Sequence, residues 1–509
     1  MPLRYILAHD LGTTGNKATL YDAEGCLTGS TFFPYDTSYS NGNWAEQNPG
    51  DWWKAVCSAT RELMHKSGLA AESIACISFS GQMMGCVAVD KNRMPLRKAI
   101  IWADQRAVKE EQFLKDNIGM KRMYHITGHR ASASYSLEKI LWIKDNEPDI
   151  YERTHKFLHA KDYMVLKLTG RFVSDYSDAS GMNLLDIKEM KWSQYIMGVS
   201  GIAEEKLPEL HFSTDVVGEV TKQAAEDTGL KPGIPVVIGA GDGMCAAVGA
   251  AVVNEGSAYN YLGSSSWIGI AAKGPVYDEK MRTFNWVHAV PGLYSPTGTM
   301  QSAGGSVQWF KNTLCQLESL IAEEVGENPY ALIDKKVEKS EPGADRLLYL
   351  PYLIGERSPH WNTNARGAFV GLSMTHTKED ICRAVLEGIT FNLRIILDAF
   401  AEKVNIDEIK LIGGGAKSHV WRQIFADIFG IRIAKPVLLD EATSLGAAII
   451  GGVGVGLFKD FNIAEKLVQI ESVDKPRHNY RERYESLYDI FKYSYSQLED
   501  VYNRMATLK

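Results

Sequence analysis

The sequence lacks the patterns that mark several common classes of protein. Its 509 residues include seven cysteines but no C-x-x-C pair, so neither a zinc site nor a disulfide framework is indicated. No G-x-x-x-x-G-K-[ST] motif is present, which excludes a P-loop ATPase. The net charge of −7 argues against a nucleic-acid-binding protein, which normally carries a basic patch.

Long apolar runs, low-complexity segments and coiled-coil heptads are lacking as well. The longest apolar stretch, residues 234–253, is interrupted by Asp242 and several glycines, so no membrane span is predicted. The short apolar run after Arg4 does not have the form of a signal peptide. Scattered cysteines suit a reducing compartment, and we therefore expect a cytoplasmic protein.

What is present is the composition of a globular protein, with 45% hydrophobic and 23% charged residues. A chain of this length is too long for one hydrophobic core, so two or more large domains are expected. Strand-like runs are mixed with amphipathic helical segments such as 52–65 and 135–145, which indicates an α/β fold. The polar break at 254–256 predicts one domain over 1–253 and another over 254–509.

Two hairpins with similar turns occur in the two predicted domains. GTTG at 12–15 follows a strand-like run at 5–8, and GSSS at 263–266 separates the runs 258–262 and 267–270. Glycines allow tight curvature, and N–H groups and hydroxyls bind the oxygens of a phosphate. The recurrence of this pattern suggests an internal duplication.

Further glycine-rich turns raise the alternative of a dinucleotide-binding enzyme. GGGAKS at 413–418 follows a strand-like run, GAGDGM at 239–244 has methionine in the third glycine position of G-x-G-x-x-G, and GGVGVG at 451–456 follows a helical stretch. The strand–turn–helix context that this fingerprint requires is not met. A nicotinamide or flavin enzyme is therefore disfavoured.

Taken together, these turns resemble the motifs of a known superfamily. DLGTTGNKA (10–18), the segment 258–270 and LIGGGAKS (411–418) resemble the two phosphate motifs and the adenosine motif of the actin-like ATPases. Within that superfamily the chain resembles the FGGY carbohydrate kinases over nearly its full length, and xylulose kinases and then gluconate kinases most of all. The segments that carry this resemblance are NWAEQNPGDWW (43–53), SGQMMG (80–85), IIWADQRA (100–107), YSLEKILWIK (135–144), GAGDGMCAAVGA (239–250) and LPYLIGERSPHWNTNARGAFVGL (350–372).

The resemblance implies two ribonuclease-H-like domains of the actin-like ATPase type, separated by a cleft. It implies that the sugar binds in the first domain and MgATP mainly in the second. Asp242 matches the catalytic base, and Asp10 matches the residue that orients Mg²⁺. The implied sugar contacts are Gln82, Met83, Trp102, Asp104 and Asp242, and the implied nucleotide contacts are Gly12, Thr13, Thr14, Lys17, Gly263, Ser264, Ser265, Gly413, Gly414 and Gly415.

Several of these residues also have a purely structural interpretation. Lys17 is equally a surface lysine of a strand, Trp102 a core tryptophan, and Asp104 one member of a surface ion pair. Asp242 is alternatively a solvated loop aspartate. We interpret Glu356 as the partner of the next residue in an ion pair that shapes the cleft.

One departure from the family pattern concerns the sugar. Xylulose kinases typically have M-H-G where this chain has Met83-Met84-Gly85, and a thioether has almost no hydrogen-bonding capacity. We expect an ATP-dependent kinase of a small sugar, with a D-xylulose-like ketopentose first and gluconate or another sugar acid or polyol as the alternative. A non-catalytic sugar-sensing regulator is disfavoured because it would be expected to carry a helix-turn-helix or a basic arm, whereas this sequence starts directly at the first hairpin. A pseudokinase is disfavoured because Asp10 and Asp242 are both present. The expected partners are the sugar and ATP, and a homodimeric assembly is left open.

Overall fold

Two seven-stranded sheets form the framework of the chain. The computed structural model describes residues 4–437 and 441–508. The first sheet contains β1 (Tyr5–Leu11), β2 (Gly15–Tyr21), β3 (Leu27–Pro34), β4 (Ile74–Gly81), β5 (Val216–Glu219), β6 (Pro235–Val237) and β7 (Ala240–Gly241). The second contains β8 (Ala258–Leu262), β9 (Ser266–Ile270), β10 (Phe284–Val287), β11 (Tyr294–Met300), β12 (Glu408–Ile412), β13 (Arg432–Pro436) and β14 (Ile470–Asp474).

The two sheets repeat one topology. The first has the strand order β3-β2-β1-β4-β6-β5, with β7 also paired to β4, and the second has the order β10-β11-β9-β8-β12-β13-β14. Strand β1 is antiparallel to β2 and parallel to β4, just as β8 is antiparallel to β9 and parallel to β12. The duplication predicted from the two hairpins is therefore confirmed by the strand order.

Helices flank both sheets. The longer helices and those next to the candidate site are α1 (Pro49–Ser67), α2 (Ser136–Asn146), α3 (Ala160–Thr169), α4 (Tyr176–Ala179), α5 (Asp242–Gly249), α6 (Gly304–Leu314), α7 (Lys378–Ala401), α8 (His419–Phe429), α9 (Ala442–Gly454) and α10 (Arg481–Ala506). Within the described ranges, none of the helices has the length and apolarity needed to cross a membrane.

Shorter elements complete the two halves. The remaining helices are Val108–Asn117, Met120–Thr127, Pro148–Arg153, Gln194–Ser200, Lys222–Thr228, Gln316–Val325, Pro329–Val337 and Ile463–Leu467. The remaining strands are Ser38–Ser40, Trp44–Gln47, Val87–Val89, Ala99–Ile100, Lys156–Leu158, Val173–Asp175, Leu185–Asp186, Lys191–Trp192, Glu209–His211, Leu348–Leu350 and Ala368–Val370.

Helix α1 shows how the local sequence sets these boundaries. The side chain of Asn48 accepts a hydrogen bond from the N–H of Gly50 (3.0 Å), and Pro49 occupies the first turn, where its missing N–H costs nothing. Gly68 ends the helix with a φ of 65°. Apolar residues at helical spacing, from Trp52 to Leu63, are buried against β2 and β3.

Helices α5 and α9 connect the two halves of the chain. Helix α9 belongs to the second half in chain order, yet it packs on β1 and β4 of the first sheet. Conversely, Ala246 and Ala247 of α5 are buried together with Tyr259 and Ile412 of the second sheet. The two helices also pack on each other, so each half supplies one helix to the other half.

The contact between α5 and α9 leaves no room for side chains at two positions. A Cβ atom on Gly446 would lie 1.9 Å from the carbonyl oxygen of Cys245, and one on Gly249 would lie 1.8 Å from the carbonyl oxygen of Ala442. Both obstacles are backbone atoms, so a larger residue would have to push the helices apart.

We predict that Gly446→Ala lowers the free energy of unfolding by about 1–3 kcal/mol, because overpacking at a backbone contact cannot relax locally. The matched control is Gly198→Ala in the helix Gln194–Ser200, where a Cβ would meet nothing within 4 Å. That control should be neutral or stabilising, since alanine favours helix more than glycine does. Thermal unfolding measures both, and equal melting temperatures for the two variants would contradict the close packing.

Candidate active site

The carboxyl ends of β1, β4 and β7 lie side by side at one edge of the first sheet. Asp10 pairs in register with Ser80, and Ser80 with Ala240. Asp242 follows β7 directly and is the first residue of α5. Because these three strands are parallel, Asp10 and Asp242 lie at the same edge, which is where α/β sheets bind their ligands.

The carboxylate of Asp10 is held from both halves of the chain. Its Oδ1 accepts a hydrogen bond from the hydroxyl of Ser80 in β4 (2.7 Å), and its Oδ2 accepts one from the hydroxyl of Thr443 in α9 (2.7 Å). A carboxylate oxygen has two lone pairs, so each oxygen retains one for a further donor such as a metal-bound water.

Asp242 has an unusual protonation equilibrium. Enclosure by protein, followed by the nearby charge of Asp10, raises the pKa of its carboxyl group from 3.8 to about 7. The residue as a whole is half-buried, while its carboxyl group is surrounded by protein and accepts the N–H of Gly243 (2.7 Å). A carboxyl group that titrates near neutral pH is suited to general base catalysis.

The turn between β1 and β2 opens toward the same edge. The N–H of Gly12 closes the turn on the carbonyl of Gly15 (3.0 Å), and Thr14 is exposed at its tip. The hydroxyl of Thr13 accepts a hydrogen bond from the indole of Trp102 (3.0 Å). This contact joins one of the predicted sugar residues to a predicted phosphate residue.

The corresponding turn of the second sheet is braced by helix α6. The N–H groups of Gly304 and Gly305 donate to the carbonyls of Gly263 and Ser264, each at 2.9 Å. A Cβ atom on Gly304 would lie 2.4 Å from the carbonyl oxygen of Gly263, so only glycine fits. Sequence reasoning missed this glycine pair, although its position soon after a strand of the second sheet was a usable signal.

The third turn lies against the same strand end. Gly413 has a φ of 88°, and a Cβ atom there would lie 2.9 Å from the carbonyl oxygen of Leu262. Gly415 is packed against the Leu262 side chain, whereas Gly414 is exposed with open space around it. The turns at 263–265 and 413–415 therefore adjoin each other at the end of β8.

Of the predicted sugar residues, Gln82 and Met83 directly follow β4, next to the strand end before Asp242. Met83 is buried and packs tightly on Gly241: a Cβ atom on Gly241 would lie 2.6 Å from the thioether of Met83. Gln82 donates to Gln47 Oε1 (2.8 Å), and its own Oε1 has no hydrogen-bond partner within the described part of the chain. Trp102 is 38% exposed, so it is not a core tryptophan.

Two other predicted site residues are engaged elsewhere. Asp104 is fully buried, and its oxygens accept from the guanidinium of Arg106 (2.7–3.0 Å) and the N–H of Ala45 (2.6 Å). The structure does not bring this carboxylate to the open edge. The ammonium of Lys17 pairs with the carboxylate of Glu441 at a distance of 3.0 Å.

The glutamate at 356 makes contacts other than the expected side-chain ion pair. Its buried carboxyl accepts hydrogen bonds from the backbone of Gln301 (2.8 Å) and Arg357 (2.9 Å) and from the side chain of Asn392 (3.2 Å). Burial raises its pKa to about 8. It ties the segment after Pro351 to β11 and α7.

Met84, the departure from the family pattern, has a strained backbone. Its φ of 61° lies in the left-handed region, and its carbonyl accepts a hydrogen bond from the buried ammonium of Lys139 (2.7 Å). Atoms of Met84 and Trp286 both lie close to Gly181, at 3.4 and 3.0 Å from the position of a Cβ atom there. A tryptophan of the second sheet thus reaches the predicted sugar segment.

Comparison with known proteins gives a consistent result. Residues 5–249 match the N-terminal domain of the FGGY family of carbohydrate kinases, and residues 258–455 match its C-terminal domain. The chain is 32% identical to a xylulose kinase of Bacillus subtilis over 501 residues, covering 98% of both chains. It is 32% identical to a gluconokinase of Bacillus licheniformis, covering 99% of this chain and 98% of that one.

A solved structure agrees with these matches. The ligand-bound xylulose kinase of Lactobacillus acidophilus superposes with a TM-score of 0.92 at 27% identity, covering 99% of this chain and 100% of that chain. The predicted α/β fold with two actin-like ATPase domains is therefore confirmed, as is the function of a sugar phosphotransferase that uses ATP. The chain belongs to the FGGY family of carbohydrate kinases.

Proposed function

We propose that this kinase transfers the γ-phosphate of ATP to a hydroxyl of a small ketopentose, with D-xylulose as the first candidate and Asp242 as the general base. The observation that carries the proposal is the position of Asp242 beside Asp10, with a pKa raised to about 7. The similarity to the xylulose kinase of Bacillus subtilis supports the choice of sugar. The seven free thiols support a reducing, cytoplasmic compartment.

In the proposed reaction the Asp242 carboxylate accepts the proton of the attacking sugar hydroxyl. Phosphoryl transfer needs little covalent chemistry from the protein, so positioning and charge stabilisation supply most of the rate. Gln82, Met83 and Trp102 are proposed to line the sugar site around Asp242. The indole of Trp102 would pack against the carbon atoms of the sugar, and the amide of Gln82 would form a hydrogen bond with one of its hydroxyl groups.

The nucleotide is proposed to bind between the glycine-rich turns. Backbone N–H groups and hydroxyls of the turns at 12–14 and 263–265 would bind phosphate oxygens, and the flat backbone at 413–415 would lie against adenosine. Closure of the two halves would exclude water and limit hydrolysis of ATP.

Magnesium is proposed to bind at Asp10. The carboxylate fits a hydrated Mg²⁺ because the hydroxyls of Ser80 and Thr443 occupy only one lone pair on each oxygen. When bound with ATP, the ion would neutralise charge on the phosphates. Lys17, which pairs with Glu441 in this structure, remains a proposed phosphate contact because an ammonium has three N–H donors.

A sugar acid is the second candidate substrate, favoured by two arginines near the sugar segment. The guanidinium groups of Arg130 and Arg357 lie 4.7 and 5.6 Å from the indole of Trp361. Across residues 4–437 and 441–508, neither has a carboxylate within salt-bridge distance. Both arginines interact electrostatically with Tyr135, which is buried in one cluster with Met83 and Trp286. A carboxylate on the substrate would pair with these guanidinium groups.

We predict that Asp242→Asn lowers kcat by about 10²–10⁴-fold, because the attacking hydroxyl loses its proton acceptor. An ADP-release assay over ketopentoses, sugar acids and polyols measures this. The wild-type kcat/KM should fall about tenfold per pH unit below pH 7, where Asp242 becomes protonated. Asp51→Asn, on the exposed start of α1, is the control and should keep full activity. Full activity in Asp242→Asn would remove the proposed base.

The thermal stability of the protein should depend on the ionisation of the Asp242 carboxyl group. The folded-state pKa of about 7 exceeds the ordinary 3.8, so the folded protein is penalised as pH rises from 4 to 7, and the full penalty remains above 7. Asp242→Asn should therefore raise the melting temperature by roughly 2–4 °C at pH 8. The difference should vanish near pH 4. A lower melting temperature for the variant at pH 8 would show that the charge is not penalised.

The variant Met84→His tests whether Met84, at a position where xylulose kinases typically have histidine, determines the choice of sugar. Histidine adopts the left-handed backbone more readily than methionine and adds a hydrogen-bonding group, so kcat/KM for xylulose should rise about tenfold or more. The control is Met94→His, because Met94 is exposed and lies in a loop. Unchanged preference across the sugar panel would mean that Met84 does not determine substrate choice.

A further inference from the structure

A cluster of buried charges lies beneath the strand ends that carry Asp242. The ammonium of Lys161 in α3 is 2.6 Å from Asp162, 2.8 Å from Asp175 and 3.4 Å from Asp178. Nδ1 of His159 lies 2.6 Å from Asp178. All five side chains are essentially inaccessible to solvent. Burial alone would lower the pKa of Lys161, but the three aspartates raise it well above 10.5.

This cluster already contains its own cation. His159, Asp162 and Asp178 are close enough together to be considered as metal ligands. The ammonium of Lys161, however, contacts both carboxylates. Buried charges of this kind are costly unless paired, and they often specify one conformation of the chain around them.

One hydroxyl group connects the cluster to the end of β7, directly before Asp242. Ser177 in α4 donates its hydroxyl hydrogen to Asp175 Oδ2 (2.5 Å). The same hydroxyl oxygen accepts a hydrogen bond from the N–H of Gly241 (3.1 Å), the residue directly before Asp242. Asp175 is fixed in turn by the ammonium of Lys161. A continuous path of three contacts therefore runs from the buried ammonium to the backbone of Gly241, directly before the proposed base.

The same cluster also lies directly behind the sugar segment. A Cβ atom on Gly81 would lie 2.8 Å from Cβ of Lys161, and Gly81 pairs in register with Gly241. Nε2 of His159 and the hydroxyl of Ser136 are 2.8 Å apart, and that hydroxyl donates to the carbonyl of Gly85 (2.7 Å). The residues before and after Gln82–Met84 are thus braced by the same group that braces Gly241.

We propose that Ser177, held by Asp175 and Lys161, is a positioning residue that fixes Gly241 and thereby the carboxylate of Asp242. The inference rests on the proposed role of Asp242 and extends it to residues outside the open edge. Loss of this hydroxyl leaves a buried N–H without a partner and allows the strand end at 240–241 to shift. Shifts of about 1 Å at a reacting group can reduce the rate a hundredfold.

Replacing Lys161 itself would leave three buried carboxylates uncompensated, so the test uses the hydroxyl. Ser177→Ala is compared with Ser213→Ala. The hydroxyl of Ser213 donates to the same Asp175 oxygen (2.7 Å) but does not contact Gly241. The two variants remove equivalent bonds from the cluster, and only the first removes the link to Asp242. Ser177→Thr, which retains the hydroxyl, serves as the rescue variant.

The measurements are kcat and KM with the best sugar of the panel, together with the melting temperature of each variant. Ser177→Ala should lose about 10–100-fold in kcat with KM for ATP and sugar changed less than about twofold. Ser213→Ala should keep its kcat at a similar melting temperature, and Ser177→Thr should recover most of the loss. Equal kcat for the two alanine variants would overturn the proposal.

Crystal structures of the same variants separate this inference from the proposed function. If wild-type enzyme turned over no sugar, the proposed function would fail, whereas the position of residues 240–243 can still be compared. The inference predicts that these residues move in Ser177→Ala and stay in place in Ser213→Ala. An unmoved Asp242 in Ser177→Ala would overturn it.

Discussion

The rest of the site depends on the two hydrogen bonds that hold the Asp10 carboxylate. One donor is Ser80 in the first sheet and the other is Thr443 in a helix contributed by the second half of the chain. Both halves must therefore be assembled before this carboxylate takes up its position. The close approach of α5 and α9 at Gly249 and Gly446 fixes the same relation through packing alone.

A second constraint is the cost of keeping the carboxyl group of Asp242 in this place. Enclosure and the charge of Asp10 both disfavour its ionised form, which makes it a better proton acceptor at neutral pH and a less stable component of the fold. The buried cluster around Lys161 is linked through Asp175 and Ser177 to Gly241, the residue directly before Asp242. The contacts that hold the backbone before Asp242 thus lie next to the group whose charge the fold penalises.

Much of this arrangement was predictable from the sequence because it depends on local patterns. The hairpins, the glycine-rich turns and the glycines flanking Asp242 are short motifs whose geometry follows from residue type, and in the structure they lie at strand ends of the two sheets. Helix α1 was likewise indicated by its apolar spacing and ends at a glycine.

The partners of these motifs were not predictable, because they come from distant parts of the chain. Thr443 bonds to a residue 433 positions away, and Glu441 to Lys17, 424 positions away. Asp104, which the family resemblance assigns to the sugar, pairs with Arg106 two residues later and is fully buried. Residue type alone did not predict this pairing or the depth of its burial.

In the proposed mechanism the sugar binds beside Asp242, opposite the nucleotide. The most direct test is a crystal structure of the enzyme with Mg²⁺, a non-hydrolysable ATP analogue and the sugar that is turned over best. We expect a sugar hydroxyl within about 2.6–3.2 Å of the Asp242 carboxylate, with the terminal phosphate on the other side of that hydroxyl. A sugar bound with a different carboxylate, or none, at its reacting hydroxyl would contradict it.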